Sequence, residues 1–147
     1  MNKMIKNKKC IKAVDFFCGA GGMSYGMSLA GINVIAGIDI DLECKKTYEY
    51  NNPSSQFILA DIKELTFKQL ENNIQLKRND DDLIFIGCSP CQHWTKMNTT
   101  KLKSEATKNL LIDFKRFVEY YHPGHIVIEN VPGILSNKKG SGLNDFL

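Results

Sequence analysis

The sequence lacks the features that would place it outside the ordinary globular proteins. Its apolar runs fall far short of the roughly 20 residues that a helix needs to span a bilayer, and no apolar leader with a small-residue cleavage site stands at its start. Internal repeats, low-complexity tracts and Pro/Gly/Ser linkers are also missing. A chain of 147 residues with 43% hydrophobic and 24% charged residues is therefore expected to form one domain, 1–147, located in the cytoplasm.

The cysteines, the histidines and the net charge give no sign of a disulfide framework, a metal site or a particular partner. The five cysteines are unevenly spaced, so reduced thiols in a cytosol are expected. Cys88 and Cys91 form the chain's one C-x-x-C, and three histidines are present, so we expect no metal. The net charge is +3. Lysines concentrated in residues 1–9 suggest a solvated arm, with a phosphate-contacting arm as the alternative.

Short apolar runs and longer amphipathic segments alternate along the chain. The runs lack clean alternation, which is typical of strands buried on both faces of a parallel sheet; they are 13–17, 33–38, 56–59, 83–87 and 126–128. The segments with helical character are 22–30, 41–50, 64–72 and 105–121, and the last carries the stripe Leu110, Phe114, Phe117, Val118 and Tyr121. This order predicts an α/β fold with a Rossmann-like, doubly wound, mostly parallel sheet that binds ligands at its carboxyl edge.

Three of the predicted strands end in residues suited to a nucleoside. The first runs into "DFFCGAGGMS", whose glycines either let a nucleotide-like ligand approach the backbone or only make a tight turn. Ser24 replaces the third glycine of G-x-G-x-x-G, which argues against a dinucleotide. Asp39 ends the second strand, where a carboxylate can accept from both ribose hydroxyls, and Asp61 ends the third, where it can accept from an exocyclic amine. Either aspartate could instead cap a helix, the interpretation we prefer for Asp41.

The fourth and fifth strands deliver "GCSPCQ" and "IENV" to the same edge. The C-x-x-C is a metal clip, a redox dithiol or one nucleophilic thiol beside a small buried Cys88. The single nucleophile is favoured, with Pro90 restraining the backbone that presents Cys91. Glu129 is expected to be buried, with a raised pKa that lets it donate a proton to a ring nitrogen; alternatively it only accepts hydrogen bonds from loop amides.

From about Val14 to Leu135 these ordered motifs resemble those of the cytosine-C5 DNA methyltransferases. The pairing of Pro-Cys-Gln after one strand with Glu-Asn-Val after the next is specific to that family. The resemblance implies the S-adenosylmethionine-dependent methyltransferase fold and methyl transfer from S-adenosyl-L-methionine, leaving S-adenosyl-L-homocysteine. It further implies double-stranded DNA with a flipped-out cytosine as substrate, no metal or membrane, and a bacterial restriction-modification role.

The resemblance also assigns roles to individual residues. Cys91 would add to C6 of cytosine, and Glu129 would hold N3 and the exocyclic amine. Asn130 would brace the catalytic loop, which includes Pro90, while Gln92 and the residues after it would face the nucleic acid. The residues implied to bind the cofactor are Phe16, Phe17, Cys18, Gly19, Gly21, Gly22, Asp39, Ile40, Asp61, Ile62, Ser89 and Pro90. The segment 92–104 would close over the flipped base, with Trp94 either packing the loop or contacting substrate. No residue is assigned to remove the C5 proton.

The family pattern extends beyond this sequence, to an Arg-rich strand, a target recognition domain and a returning segment that completes the cofactor pocket. The chain resembles the N-terminal half, with a sheet truncated after about five strands, and is expected to be weakly active or inactive alone. One alternative is a non-catalytic S-adenosylmethionine-binding fragment, or a subunit of a split enzyme completed by a C-terminal polypeptide. A tRNA cytosine-C5 methyltransferase is another, and a dithiol oxidoreductase is a distant third.

Overall fold

The computed structural model describes residues 10–90, 110–136 and 143–145. The strands are β1 (Lys12–Phe16), β2 (Asn33–Asp39), β3 (Gln56–Leu59), β4 (Leu83–Gly87) and β5 (His125–Ile128). The helices are α1 (Gly22–Leu29), α2 (Cys44–Asn51), α3 (Phe67–Asn73), α4 (Leu110–Tyr121) and the short α5 (Gly133–Ser136), followed by a 3-10 turn at Leu143–Asp145. None of the helices in these ranges is long and apolar enough to cross a membrane.

The strands form one sheet in the order β3-β2-β1-β4-β5, and every neighbouring pair is parallel. Strand order reverses at β1, which pairs with β2 on one side and with β4 on the other. This order confirms the predicted doubly wound α/β sheet, and it places the ends of β1 and β4 at the point where such sheets bind ligands.

Alternate residues of the strands pack against helices on opposite faces of the sheet. Val14 and Phe16 join the larger core cluster with α3 and α4, whereas Ala13 faces α1. Phe16 lies 5.1 Å from Phe114 of α4, ring centre to ring centre. The burial of β1 and β4 on both faces explains their continuous apolar runs. The apolar run of β5 also predicts burial on both faces, but that strand is exposed or half-buried along its length, because it lies at the edge of the described sheet.

Two helices begin three residues later than their sequences predict, because polar turns precede them. Asp41 accepts from the Glu43 N–H at 3.0 Å, so α2 begins at Cys44 and not at residue 41. Asp61 forms a similar turn, and Thr66 caps α3 in a capping box with Gln69. The predicted end of α4 is confirmed at His122, which has a φ of 47°; its predicted first turn, 105–109, and the N-terminal lysines lie outside the described residues.

Candidate functional site

The carboxyl ends of β1, β2 and β3 surround a cavity of about 580 Å³, a volume usual for small-molecule sites. Eight residues predicted to bind cofactor line it: Phe16, Phe17, Gly19, Asp39, Ile40, Asp61, Ile62 and Pro90. They come from the ends of four strands that are far apart in sequence. The parallel order of the sheet is what brings them to one place, since all these strand ends share an edge.

The Asp39 carboxylate is tied to the backbone of two turns. Its Oδ2 accepts from the Gly19 N–H at 2.8 Å, and its Oδ1 accepts from the Asp41 N–H at 2.9 Å. Gly19 has a φ of 49°, in the left-handed region. An ionised carboxylate has about four acceptor positions, so these two bonds leave Asp39 able to accept from hydroxyl groups of a ligand in the cavity.

Asp61 lies beside Asp39 because β2 and β3 are paired, with the Ala60 N–H donating to the Asp39 carbonyl at 2.9 Å. The Asp61 Oδ1 accepts from the Lys63 N–H at 2.9 Å, which fixes the carboxylate in a turn. The two acids therefore stand on adjacent strand ends at the wall of one cavity, as their positions in the sequence predict.

Arg116 of α4 holds the loop that follows β3, a role that the sequence did not reveal. Its guanidinium donates to the carbonyl of Ile62 and, at 2.6 Å, to that of Leu65. It also lies over the Phe117 ring, 4.6 Å from the ring centre. Arg116 thus fixes the backbone that carries Asp61, although it is not among the residues that line the cavity.

Four predicted cofactor-binding residues are not among those lining the cavity: Cys18, Gly21, Gly22 and Ser89. Cys18 is buried against Tyr48 and Phe57. Burial raises the pKa of its thiol, and the Asp15 and Asp39 carboxylates raise it further, so it stays protonated. Gly21, with a φ of 87°, and Gly22 form the turn into α1.

Asn130 joins the end of β5 to the end of β4. Its side-chain amide donates to the Ser89 hydroxyl at 3.1 Å and to the Ser89 carbonyl at 3.3 Å, and its own Oδ1 accepts from the Val131 N–H at 3.0 Å. Ser89 is buried against this contact. The segment leading to Pro90 is therefore fixed from the neighbouring strand; Cys91, Gln92, Trp94 and the rest of 92–104 lie outside the described residues.

The structure corrects two expectations about the burial of individual side chains. Glu129 is exposed and not buried, because it follows β5, the edge strand of the described sheet. Cys88 is half-buried, not buried, and packs beside the α1-facing cluster that contains Ala13 and Ile86.

Several cavity-lining residues were not singled out as cofactor-binding in the sequence: Ile38, Asp41, Cys44, Ala60, Lys63 and Leu110. Most of them directly flank residues that were predicted, so their proximity follows from the strand ends. Asp41 forms a turn at the cavity wall and is not the N-cap of α2, which is Glu43. Leu110 comes from α4, and its place in the apolar stripe of that helix predicted only that it packs in the core.

The lining fits an adenosine-containing molecule in both size and chemistry. Apolar walls from Phe16, Phe17 and Ile38 suit a base, while Asp39 and Asp61 provide acceptors for hydroxyl and amine groups. Within residues 10–90, 110–136 and 143–145, no group of three or more His, Cys, Asp or Glu side chains could hold a metal ion.

Comparisons with known proteins identify the family of this chain. A family model described as C-5 cytosine-specific DNA methylase matches residues 11–147. The type II methylase M.HgiDII of Herpetosiphon aurantiacus is 37% identical over 91% of this chain and 36% of its own. The type II methyltransferase M.DdeI of Desulfomicrobium norvegicum is 38% identical over 87% of this chain and 29% of its own. A solved structure from E. coli, described as a prophage-encoded DNA modification methyltransferase, matches with a TM-score of 0.72 and 27% identity, over 92% of this chain and 36% of its own. The chain spans about a third of the length of these proteins.

Proposed function

The chain belongs to the C-5 cytosine-specific DNA methylase family, and we propose that it supplies the cofactor-binding and nucleophile-bearing part of a DNA (cytosine-5-)-methyltransferase. The observation that carries the proposal is the cavity at the strand ends. It is lined by Asp39 and Asp61 and also by Pro90, the residue immediately before Cys91. The residue that precedes the candidate nucleophile in the sequence thus lines the proposed nucleoside site.

S-adenosyl-L-methionine is the proposed occupant of the cavity, and when bound it supplies an electrophilic methyl group. Asp39 would accept hydrogen bonds from the ribose hydroxyls and Asp61 from the adenine amine. Phe17 and Ile62 would cover the faces of the base, while the Gly19–Gly22 turn lets the backbone approach the remainder of the molecule.

The proposed chemistry at the cytosine begins with Cys91. Its thiolate forms a bond to C6, and the displaced electron pair makes C5 nucleophilic enough to take the methyl group. A base then removes the C5 proton, the C5–C6 double bond re-forms and the thiolate leaves. Glu129 would hold N3 and the exocyclic amine during addition, and Asn130 would keep the Pro90 backbone in place. The cytosine must be flipped out of the duplex to reach this edge.

A second polypeptide segment is part of the proposal, because the chain spans about a third of its relatives. Within the described residues β5 pairs with β4 alone, which leaves an open edge with unpaired backbone groups. Ile126 on this strand is 42% exposed and Leu135 is 58% exposed, and both line an apolar groove of about 470 Å³. We expect the complementary part of the enzyme, carrying the target recognition domain, to add to this edge.

We place the enzyme in a bacterial restriction-modification system acting on double-stranded DNA in the cytoplasm, because the relatives named above are type II methylases. The alternatives are a non-catalytic S-adenosylmethionine-binding subunit and a tRNA cytosine-C5 methyltransferase. Transfer of tritium-labelled methyl groups to DNA and to tRNA distinguishes the last of these.

Calorimetric titration of the purified chain with S-adenosyl-L-methionine tests the proposal directly. We expect weak binding, lost in Asp39→Ala and retained in Glu49→Ala, because Glu49 lies on α2 in a surface pair with Lys45. We expect little or no methyl transfer to DNA until a complementary C-terminal polypeptide is added. A chain that binds no S-adenosylmethionine, with or without that polypeptide, would refute the proposal. Robust methylation of plain duplex DNA by the 147-residue chain would refute the need for a second part.

A further inference from the structure

Helix α1, which begins at the glycine turn, has no capping side chain of its own. Its N-cap is Gly21, and no acidic residue lies in its first turn. The first N–H groups of a helix have no intrahelical acceptor, and Ser, Thr, Asp or Asn at the N-cap normally provides one. The glycine needed for the turn thus removes the usual means of fixing the start of the helix.

Asp15 of β1 anchors the start of the helix from the adjacent strand. The Ser24 hydroxyl donates to its Oδ2 at 2.7 Å. Ser24 is the third residue of α1, so this bond ties the first turn of the helix to β1. The negative charge of the carboxylate also lies near the positive end of the helix dipole.

The same contact extends through a buried chain of hydroxyl groups. The Ser24 hydroxyl lies 3.2 Å from the Tyr48 hydroxyl, which lies 2.7 Å from that of Ser55. An ionised Asp15 can only accept, so Ser24 donates to it and its oxygen is left to accept from Tyr48, whose own oxygen then accepts from Ser55. The ionised carboxylate thus sets the direction of the hydroxyl bonds from Ser24 through Tyr48 to Ser55.

Keeping a charge at this place is costly. Asp15 is fully buried, and among the described residues its Oδ1 has no hydrogen-bond partner. Burial raises its pKa to about 6, the bond from the Ser24 hydroxyl opposes that shift and the Asp39 charge adds to it. The other titratable groups that face it are Cys18 and Tyr48. A neutral side chain could fill this buried position at a lower cost in free energy if Asp15 only supported the fold. The buried carboxylate charge therefore suggests that Asp15 has a functional role.

We propose that Asp15 is a positioning residue for cofactor binding, which holds the first turn of α1, and through it the Gly19–Gly22 turn, in the conformation that receives the ligand. This inference rests on the proposed binding of S-adenosylmethionine at that turn. Asp15 does not itself line the cavity. It acts through Ser24, and Asn52 gives the turn a second anchor by donating to the Gly21 carbonyl at 3.2 Å.

Titration calorimetry with S-adenosyl-L-homocysteine across pH 5 to 8 tests the inference. We expect Asp15→Asn to weaken binding at pH 8 by tenfold or more and Ser24→Ala to weaken it several-fold. Wild-type affinity should fall as pH drops through about 6, the pKa of Asp15, whereas the affinity of Asp15→Asn should show no such step. Asp80→Asn is the matched control, because Asp80 pairs with Lys12 at the opposite end of β1; it should bind with wild-type affinity and pH profile.

Hydrogen exchange in the free chain gives a second readout. We expect Asp15→Asn to speed exchange of the first α1 amides tenfold or more while the amides of β4 keep their protection. Equal affinity, pH profile and α1 exchange in wild type and Asp15→Asn would overturn the inference and leave the proposed function standing. If the wild type binds no ligand, the proposed function fails. In that case, equal α1 exchange in wild type and Asp15→Asn overturns the positioning role as well. If Asp15→Asn does not fold, Ser24→Ala and the wild-type pH profile decide in the same way.

Discussion

The Asn130 side chain donates two hydrogen bonds to Ser89, one to its hydroxyl and one to its carbonyl, and so ties the end of β5 to the end of β4. Asn130→Ala removes both bonds, so we expect faster amide exchange at the end of β4 and a loss of methyl transfer by about 10- to 100-fold in the completed enzyme. Asn73→Ala, which removes exposed contacts to Gln56 and to the Gln69 carbonyl on α3, should leave both measurements unchanged. Unaltered exchange in Asn130→Ala would show that the tie does not hold this segment.

The two cysteines of "GCSPCQ" should differ in reactivity. Cys91→Ala should abolish covalent trapping of DNA that contains 5-fluorocytosine by the completed enzyme, because the bond to C6 cannot form. Cys88→Ala should largely preserve trapping, since Cys88 packs against the α1-facing cluster. Gel analysis of the protein–DNA adduct measures both. Equal loss in the two variants would instead favour a dithiol function.

Removing the Arg116 guanidinium should loosen the loop that carries Asp61. Arg116→Met leaves the carbonyls of Ile62 and Leu65 without these donors, and we expect it to lower the free energy of unfolding by about 2–4 kcal/mol and to weaken S-adenosylmethionine binding. Arg78→Met is the control, since Arg78 is exposed and stacks on Tyr120; we expect it to cost less than about 1 kcal/mol. Urea denaturation compares the two, and similar losses would contradict the assignment.

The Tyr48 ring leaves no room for a side chain at position 37 of β2, which is a glycine. A Cβ there would lie 2.3 Å from the Tyr48 ring, so Gly37→Ala should destabilise the chain by about 1–3 kcal/mol through overpacking. Gly26→Ala is the matched control, because nothing lies within 4 Å of a Cβ at that helical position; it should stabilise by about 0.5–1 kcal/mol. Thermal unfolding distinguishes the opposite signs.

Stability should depend on pH through Asp15. The pKa of Asp15 is raised from 3.8 to about 6 in the folded chain, so between these values the folded state binds more protons than the unfolded state. The contribution of Asp15 to the free energy of unfolding therefore falls as pH rises from about 4 to 6, by ~3 kcal/mol at most. Asp15→Asn should lack this fall, as measured by urea denaturation at each pH. A wild-type contribution that rises over the same interval would contradict the raised pKa.

The sequence predicted the strands and the cavity more closely than it predicted the burial of individual side chains. The continuous apolar runs of β1 and β4 identify strands covered on both faces, and the acids at the ends of β2 and β3 follow from strand order. The exposure of Glu129 depends on what lies beside β5, which no local pattern records. Arg116 could not be found, because the carbonyls that it binds belong to a loop about fifty positions earlier in the chain.

The central pairing of β1 with β4 sets an order on folding during synthesis. Lys12 pairs with Leu83, and Phe16 with Gly87, so one side of β1 has no neighbour until the ribosome has released β4. Parallel pairings of such high sequence separation form slowly, since the intervening chain must first be closed into a loop. The glycine turn is held by Asp39 and Asn52 from the first half of the chain, but the strand that leads into it gains its second neighbour only after β4 has been made.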